Sequence, residues 1–236
     1  MVIDLVGHVR AVCVGAVGAL TLGRRSIKSA FVKTPVEGPL RLGELGFPGD
    51  EHVYEDHGGP EMAALVYPFE HYSFWRERGL DLPEAGAFGE NLTVTGLVET
   101  DVHIGDVFKV GTSLVQVTQP RAPCYKIAAR YGDRNLSVTT QNEGLIGYLL
   151  RVLAEGDVCA GDPMRLVDRG SHGVTVAEAG RVANVDRNDM GAAARVLAVD
   201  ALGSSTRRKL TVRMASQVDV GLETDRLFVP EDGPPS

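Results

Sequence analysis

Cys124 stands in a segment whose residue types suit reactive sulfur chemistry. The surrounding residues 119–126 read QPRAPCYK, so two prolines restrict the backbone around the thiol. Arg121 and Lys126 lie close along the chain and bring positive charge to it. Because nearby cations stabilise a thiolate, the form of cysteine that attacks electrophiles and binds metals, Cys124 is the first candidate for chemistry. A buried and inert cysteine is the alternative interpretation.

The other two cysteines indicate structure rather than chemistry. Cys13 and Cys159 lie in apolar or glycine-flanked stretches without the prolines and cations of Cys124. Three cysteines are an odd number, and none forms a Cys-x-x-Cys pair or another metal-type spacing. The sequence therefore predicts neither a disulfide framework nor a zinc knuckle, and it favours a reducing, cytoplasmic location.

Positive charge is concentrated in two parts of an otherwise acidic chain. The 236 residues include 24 Lys and Arg against 31 Asp and Glu, a formal net charge of −7. The two clusters are Arg24, Arg25, Lys28 and Lys33, and then Arg121, Lys126, Arg130 and Arg134. They predict either an anion pocket for a phosphate group or solvated charged faces. The acidic total excludes a dedicated DNA- or RNA-binding module, which needs a strongly basic face.

Histidine, glycine and acidic residues cluster in residues 50–60, DEHVYEDHGGP. Gly58 and Gly59 permit backbone angles that turn N–H groups inward, which would form a concavity for an oxyanion or phosphate. A zinc site from His52, His57 and His71 matches no compact ligand motif. The four acidic residues of the segment would suit a hard cation, with a solvated loop as the simpler interpretation.

A further polar candidate lies in residues 88–92, FGENL. Asn91 offers donor and acceptor groups that could read the edge of a heterocycle, or it could form an Asx-type turn. Other families lack their signatures here. No serine stands in a nucleophile elbow, and there is neither a Walker loop nor a Gly-x-Gly-x-x-Gly run, which disfavours triad hydrolases, P-loop ATPases and dinucleotide folds.

The elements that must position these residues are mainly strands up to about residue 168. Short apolar, β-branched runs separated by Gly and Asp predict barrel or sandwich strands, and residues 99–118 predict an antiparallel meander. Helical spacing of apolar residues predicts helices over residues 68–79 and 142–153. The longest uncharged run, residues 11–23, is too short to span a bilayer, so no membrane association is predicted.

The pattern changes to helices near residue 170. Credible caps and apolar spacing predict helices over residues 175–184, 189–202 and 204–216. We therefore predict a β domain over residues 1–170, a small all-α three-helix extension over 171–228 and a disordered tail over 229–236. The fold class is mainly β, of the α+β type.

Six motifs taken in order resemble the MOSC-domain family. They occupy residues 29–36, 49–50, 57–60, 88–92, 104–106 and 119–126, and the likeness covers about residues 25 to 168. The helical extension resembles a bacterial subfamily whose members detoxify 6-N-hydroxylaminopurine. The resemblance implies a MOSC-type β-barrel that binds the molybdenum cofactor, molybdopterin, with Cys124 as the protein ligand to molybdenum.

The resemblance also implies the other residues of the site. Ser29 and Lys33 match the anion-binding segment of the family. The remaining positions expected around the cofactor are His57, Gly58, Gly59, Glu90, Asn91 and Arg121. A soft thiolate suits a thiophilic metal, and cations suit the phosphate of the cofactor.

By the same resemblance, the expected activity is reduction of small N-hydroxylated compounds, such as hydroxylamino-purines, to amines. The chain carries no flavin, haem or iron–sulfur motif, so the electrons are expected from an external reductase. The basic stretch of residues 207–213 would dock an acidic redox protein or form a solvated face. No nucleic-acid polymer is expected as a partner, and the oligomeric state is left open, with a dimer as one alternative.

Two other functions remain open from the sequence. The first is a non-catalytic carrier of molybdenum cofactor, or of sulfur as a persulfide on Cys124. The second is a cysteine hydrolase in which His57 serves as the base of Cys124. Reductase turnover would distinguish an enzyme from a carrier.

Overall fold

The computed structural model describes residues 4–22, 25–53, 58–216 and 226–228. Its strands are β1 (Val6–Val14), β2 (Gly18–Leu22), β3 (Arg25–Ser29), β4 (Thr34–Pro35), β5 (Leu40–Leu42), β6 (Ala64–Pro68), β7 (Leu92–Thr95), β8 (Val107–Val110), β9 (Ser113–Pro120), β10 (Tyr148–Ala154), β11 (Gly156–Val158) and β12 (Pro163–Asp168). Its α-helices are α1 (His71–Glu77), α2 (Tyr125–Tyr131), α3 (Leu136–Asn142), α4 (Val176–Asn184), α5 (Met190–Leu197) and α6 (Ser204–Ser216). A 3-10 turn covers Pro60–Met62.

The strands of this part of the chain form a closed seven-stranded barrel in the order β12-β8-β9-β10-β6-β7-β1. Pairing of β1 with β12, where His8 faces Pro163, closes the ring. The β6–β7 pair is parallel, and the other pairs of the ring are antiparallel. Closure leaves no open sheet edge around the core. The expected barrel with short helices and a helical segment is confirmed.

Alternating side chains fill the barrel. Val115 and Val117 of β9 are fully buried and point inward, together with Phe108 of β8 and Leu150 of β10. A second apolar cluster lies beside the barrel under the loop that precedes β7. There Tyr67 stacks on Phe88 with ring centroids 4.5 Å apart and accepts a 2.8 Å hydrogen bond from the Trp75 indole.

The helices after residue 170 share the core of the barrel. Ala179, Val182, Val196 and Leu210 of α4, α5 and α6 belong to the same buried cluster as the barrel strands. The change of secondary structure near residue 170 therefore occurs without a break in the hydrophobic core, and burial against the strands stabilises the helices.

The start of α6 is fixed directly on the barrel. The backbone N–H of Gly203 donates to the Thr118 carbonyl at 2.9 Å, and that of Thr206 donates to Gln119 Oε1 at 3.1 Å. The N–H of Ser204 donates to the Glu61 carboxylate at 2.7 Å. These bonds satisfy donors that a helix start would otherwise leave free.

Three of the four cations of α6 are engaged by residues at the ends of α4 and α5, and the docking of a redox partner on this stretch stays a prediction. Arg207 donates to the carbonyls of Leu197 and Val199 behind α5. Lys209 reaches Asn184 Oδ1 at 2.9 Å. Arg213 donates to the carbonyls of Val182 and Ala183. These cations cap the ends of α4 and α5, where carbonyl groups lack helical partners.

The predicted elements are confirmed in part. The three helices of the extension form, and two of their predicted N-caps are present. The Thr175 hydroxyl accepts a hydrogen bond from the Glu178 N–H, and the Asp189 carboxylate accepts one from the Ala192 N–H. The helix predicted over residues 68–79 forms as the shorter α1. In the predicted meander, the β8 and β9 hairpin is present, while His103 makes only an isolated bridge in place of the preceding strand.

The helix predicted over residues 142–153 is wrong. The second half of this stretch belongs to the strand β10, which pairs with β6 on one side and β9 on the other. A short apolar run fits both periodicities, and the two open strand edges satisfy its backbone groups. The sequence also gave no indication of α2 and α3, whose apolar spacing is weak.

Two further expectations concern the C-terminal tail and membrane-spanning helices. The tail over residues 229–236 lies outside the described residues, as does the stretch 217–225. Among the described helices, none combines the length and the apolar character that a membrane crossing requires.

The contact of Glu61 with α6 predicts a pH-dependent contribution to stability. Hydrogen bonds from Ser204, supported by Arg151, hold the pKa of Glu61 below its ordinary value. A lowered folded-state pKa stabilises the fold above the unfolded pKa, about 4.3, and this contribution disappears as pH falls through the folded pKa. Because the side chain is 37% exposed, we expect Glu61→Gln to lower the free energy of unfolding by less than about 1 kcal/mol at pH 7.

Urea unfolding at pH 7 and at about pH 3 checks this, with the exposed Glu37→Gln as the matched control. The difference between Glu61→Gln and the parent should be larger at pH 7 than at the lower pH. An equal difference at both pH values would contradict the assigned role of the carboxylate.

Candidate functional site

A cavity of about 670 Å³ opens beside Cys124. One wall comes from the barrel loops and includes Lys33, Asn91, Arg121 and Cys124. A second wall, the α6 wall, comes from the start of α6, and Arg226 of residues 226–228 also lines the cavity. The volume falls in the range of small-molecule and cofactor pockets.

The Cys124 side chain is half-buried and faces this cavity, immediately before α2. Its backbone is fixed, because its carbonyl accepts the Ser137 hydroxyl at 2.7 Å and the Ile127 N–H at 3.1 Å. The adjacent Pro123 carbonyl accepts a hydrogen bond from Arg226. The thiol is therefore presented to the cavity on a rigid support.

Arg121 brings a buried positive charge to the same place. Its side chain is only 7% exposed, and one guanidinium nitrogen donates to the Phe88 carbonyl at 3.2 Å. The other terminal nitrogen, Nη1, has no hydrogen-bond partner among the described residues. Burial lowers the pKa of Arg121, and the proximity of Cys124 opposes that shift. A buried guanidinium with a free donor is suited to an anionic ligand.

Lys126 adds a second buried cation near the sulfur. Burial lowers the pKa of Lys126, and Cys124 again opposes the shift. Arg226 also lines the cavity, but it donates to Gln141 Oε1 at 2.6 Å as well as to the Pro123 carbonyl. The cations predicted around Cys124 therefore do converge on it, although Arg130 and Arg134 are exposed and outside the cavity lining.

The Asp50 carboxylate links three segments of the barrel wall through hydrogen bonds. Its carboxylate accepts the Lys33 ammonium, the Asn91 side-chain amide at 2.8 Å and the Gly15 N–H at 2.9 Å. Asn91 Oδ1 in turn accepts the Leu65 N–H at 3.0 Å. Burial lowers the pKa of Lys33, and the charge of Asp50 opposes that shift.

Three predicted residues lie outside the cavity lining. Glu90 is fully buried, and its carboxylate accepts from the Gly86 and Phe88 N–H groups and from the hydroxyls of Tyr72 and Thr93. It therefore shapes the loop before β7 rather than meeting a ligand. Ser29 is buried and its hydroxyl accepts the Phe31 N–H. Gly59 begins the 3-10 turn.

Gly58 does line the cavity, and its conformation requires glycine. Its φ is +110°, and a Cβ at this position would lie 2.7 Å from the His52 ring. His57 lies outside the described residues, so its predicted place, in the cofactor site or as the base of a hydrolase, stays a prediction. Within the described part of the chain, no group of three His, Cys, Asp or Glu is arranged to hold a metal ion.

The remaining cysteines fit the structural role predicted for them. Burial raises the pKa of Cys13 to about 12, and its side chain is fully buried. Cys159 lies next to Asp162, away from the cavity. All three cysteines are free thiols.

The cavity also includes residues that the sequence reasoning missed. These are Gln119, the α6 residues Ser204, Ser205, Thr206 and Arg208, and Arg226. The α6 residues lie in the helical extension, about eighty positions from Cys124, and only tertiary packing brings them to it. Their one signal is the basic stretch of residues 207–213, which the sequence predicts to be either a docking face or a solvated face.

Comparison with known proteins identifies relatives of the chain. The family model of the MOSC domain matches residues 53–165. The uncharacterized protein YflK of Bacillus subtilis (strain 168) is 40% identical over 184 residues, 78% of this chain and 83% of that protein. The protein YiiM of Escherichia coli (strain K12) is 45% identical over 159 residues, 66% of this chain and 70% of that protein.

A third relative, from Gibberella moniliformis (strain M3125 / FGSC 7600), is named Reductase and is 38% identical over 147 residues. The match spans 61% of this chain but 26% of that protein. Among solved structures, YiiM from Geobacillus stearothermophilus has a TM-score of 0.75 at 34% identity, covering 88% of this chain and 99% of that one. YiiM from Escherichia coli has a TM-score of 0.72 at 33% identity, covering 95% and 98%.

The contacts of Asp50 predict a large loss of stability in Asp50→Asn. The Lys33 and Asp50 side chains are 7% and 4% exposed, so the variant leaves a buried ammonium without its counter-ion. We expect the free energy of unfolding to fall by about 3 kcal/mol, measured by urea unfolding.

The double variant Lys33→Met with Asp50→Asn should recover part of this loss, since it leaves no uncompensated charge. A double variant as unstable as the sum of the two single variants would show that the pair does not interact, contrary to the geometry.

Proposed function

The chain belongs to the MOSC domain family, and from this membership we propose that its Cys124 cavity binds the molybdenum cofactor and reduces N-hydroxylated compounds, hydroxylamino-purines among them. One observation carries the proposal. A half-buried thiol and a buried guanidinium with a free nitrogen, Arg121 Nη1, line the same cavity.

The donor set of the cavity fits such a cofactor. A cysteine sulfur is a soft ligand that suits a thiophilic metal, and Cys124 is the cavity-lining cysteine of the described chain. The phosphate of molybdopterin needs cationic and N–H donors, which Arg121 and Lys33 supply. Asn91 lines the same wall, but its amide is engaged by Asp50, the Cys13 carbonyl and the Leu65 N–H, so it supports the wall rather than reading a pterin edge. The residues therefore fit the group.

When bound, the cofactor supplies the two-electron redox chemistry that no amino-acid side chain provides. The net reaction converts R–NH–OH, two electrons and two protons into R–NH₂ and water. Cys124, immediately before α2, would hold the metal, and Arg121, whose other terminal nitrogen donates to the Phe88 carbonyl, would bind the anionic part of the cofactor. Phe31, Phe88 and Leu65 form apolar parts of the lining and exclude water from the reacting bond.

The protons can come from cations held within the same cavity. Burial lowers the pKa values of Lys33 and Lys126, which makes each ammonium a better acid than an exposed lysine. Lys126 lies near Cys124, and Lys33 is held by Asp50. A proton given up at Lys126 Nζ would be replaced from solvent through the cavity mouth.

The electrons are proposed to come from a separate reductase. The fungal relative named Reductase supports this, because the stretch that resembles this chain is 26% of that longer protein. The sequence carries no flavin, haem or iron–sulfur motif, so this domain needs an electron donor from outside it. A reducing cytoplasm with such a donor suits the three free thiols.

Substitution of the cavity cysteine gives the direct test of the site. In Cys124→Ser we expect bound molybdenum, measured by elemental analysis, to fall by at least about tenfold, because a hydroxyl is a harder and weaker ligand than a thiolate. Turnover of 6-N-hydroxylaminopurine with a chemical electron donor should be lost with it. Cys159→Ser, which removes a cysteine outside the cavity, is the matched control and should retain both.

Survival of both molybdenum and turnover in Cys124→Ser would contradict the ligand assignment. A parent protein that holds molybdenum yet reduces no N-hydroxylated compound would instead support the carrier function. Equal losses in Cys159→Ser would point to a general effect of thiol removal on folding.

A further inference from the structure

The α6 wall of the cavity has a chemistry different from that of the barrel wall. It presents the hydroxyl-bearing residues Ser204, Ser205 and Thr206 together with Arg208. All of these side chains can donate hydrogen bonds, and none carries negative charge. The carboxylate of the described lining, Glu51, belongs to the loop after β5, where it accepts the Val17 N–H at 2.6 Å. The α6 wall thus suits a ligand rich in acceptor oxygens.

Arg208 differs from its neighbours on α6 in having no structural task. Arg207, Lys209 and Arg213 are engaged by the ends of α4 and α5 or by Asn184. For the Arg208 guanidinium, by contrast, the described residues provide no hydrogen bond or ion pair, and the side chain lines the cavity. Arg226, another cation of the cavity lining, is engaged by the Pro123 carbonyl and by Gln141.

The Arg208 side chain is exposed, but the backbone that carries it is fixed. The start of α6 is fixed on β9 through Thr118 and Gln119, and on the 3-10 turn through Glu61. Arg208 follows these anchors by one helical turn. A guanidinium placed by a rigid helix start can form a directed, bidentate contact with a phosphate.

The proposed function assigns Arg121 and Cys124 of the barrel wall to the cofactor and leaves Arg208 of the α6 wall, which lines the same cavity, without a ligand. A free purine base has no anionic group for this wall, whereas a nucleotide carries a phosphate at the end of its ribose.

We propose that Arg208 is a specificity-determining residue that binds the phosphate of the substrate, so that the enzyme prefers N-hydroxylated nucleoside 5′-monophosphates to the free bases. This inference rests on the proposed function. The helical extension is then part of the substrate site, and its start carries the selectivity for the phosphorylated form.

The test compares three substrates of one series: 6-N-hydroxylaminopurine, its ribonucleoside and the ribonucleoside 5′-monophosphate. With molybdenum-loaded protein and a chemical donor, we expect Arg208→Gln to lower kcat/KM for the monophosphate by about tenfold or more. The values for the base and the nucleoside should stay within about twofold. Arg134→Gln, an exposed arginine outside the lining, is the matched control and should change none of the three.

A binding measurement separates this inference from the proposed activity. By calorimetry, adenosine 5′-monophosphate should bind the parent protein more tightly than adenosine, and Arg208→Gln should remove most of the difference. Arg208→Lys should retain part of it, because an ammonium still attracts phosphate but lacks the fork geometry.

The outcomes are distinguishable. If the parent reduces none of the three substrates but binds the monophosphate through Arg208, the proposed reaction fails and the phosphate site stands. If turnover occurs and Arg208→Gln affects all three substrates equally, or none, the inference is overturned and the proposed function stands. Loss of bound molybdenum in Arg208→Gln would assign the residue to the cofactor and would also overturn it.

Discussion

The burial of the Arg121 guanidinium is the constraint on which the rest of the site depends. Removing a charge from water costs several kcal/mol unless hydrogen bonds and an opposite charge offset it. Within the described chain, Arg121 donates a hydrogen bond to the Phe88 carbonyl and lies near Cys124. Its Nη1 has no hydrogen-bond partner there. The loop before β7 must therefore hold that carbonyl in place, which explains why Glu90 is buried beneath the loop with four donors. An anionic ligand would complete the arrangement and stabilise the folded state.

The barrel and the helical extension form one functional unit. Because β9 ends at the Arg121 segment and also carries Thr118 and Gln119, the same strand positions the Cys124 wall and the start of α6. The two walls are therefore fixed relative to each other by a single rigid element. In the structural relatives named YiiM the alignment reaches 95% of this chain, so the helices belong to the shared architecture.

The sequence indicated the barrel class and the reactive segment because both are local signals. Prolines and cations beside Cys124, and β-branched runs between turns, can be recognised without tertiary structure. The helix predicted around Tyr148 is wrong because the spacing of its apolar residues also fits a strand. Backbone pairing with β6 and β9, which the local sequence does not show, makes this stretch a strand. The positions of Asp50 and Arg208 could not be predicted, because both depend on contacts between residues far apart in the sequence. Asp50 accepts hydrogen bonds from Gly15 and Asn91, and α6 brings Arg208 to the cavity beside the barrel.

The most direct test of the account is elemental analysis of the parent protein from two matched hosts, one able and one unable to synthesise the pterin of the molybdenum cofactor. The cavity chemistry predicts stoichiometric molybdenum in protein from the first host and none in protein from the second. Absence of molybdenum from both preparations would contradict the central claim and leave the cavity as the site of some other anion.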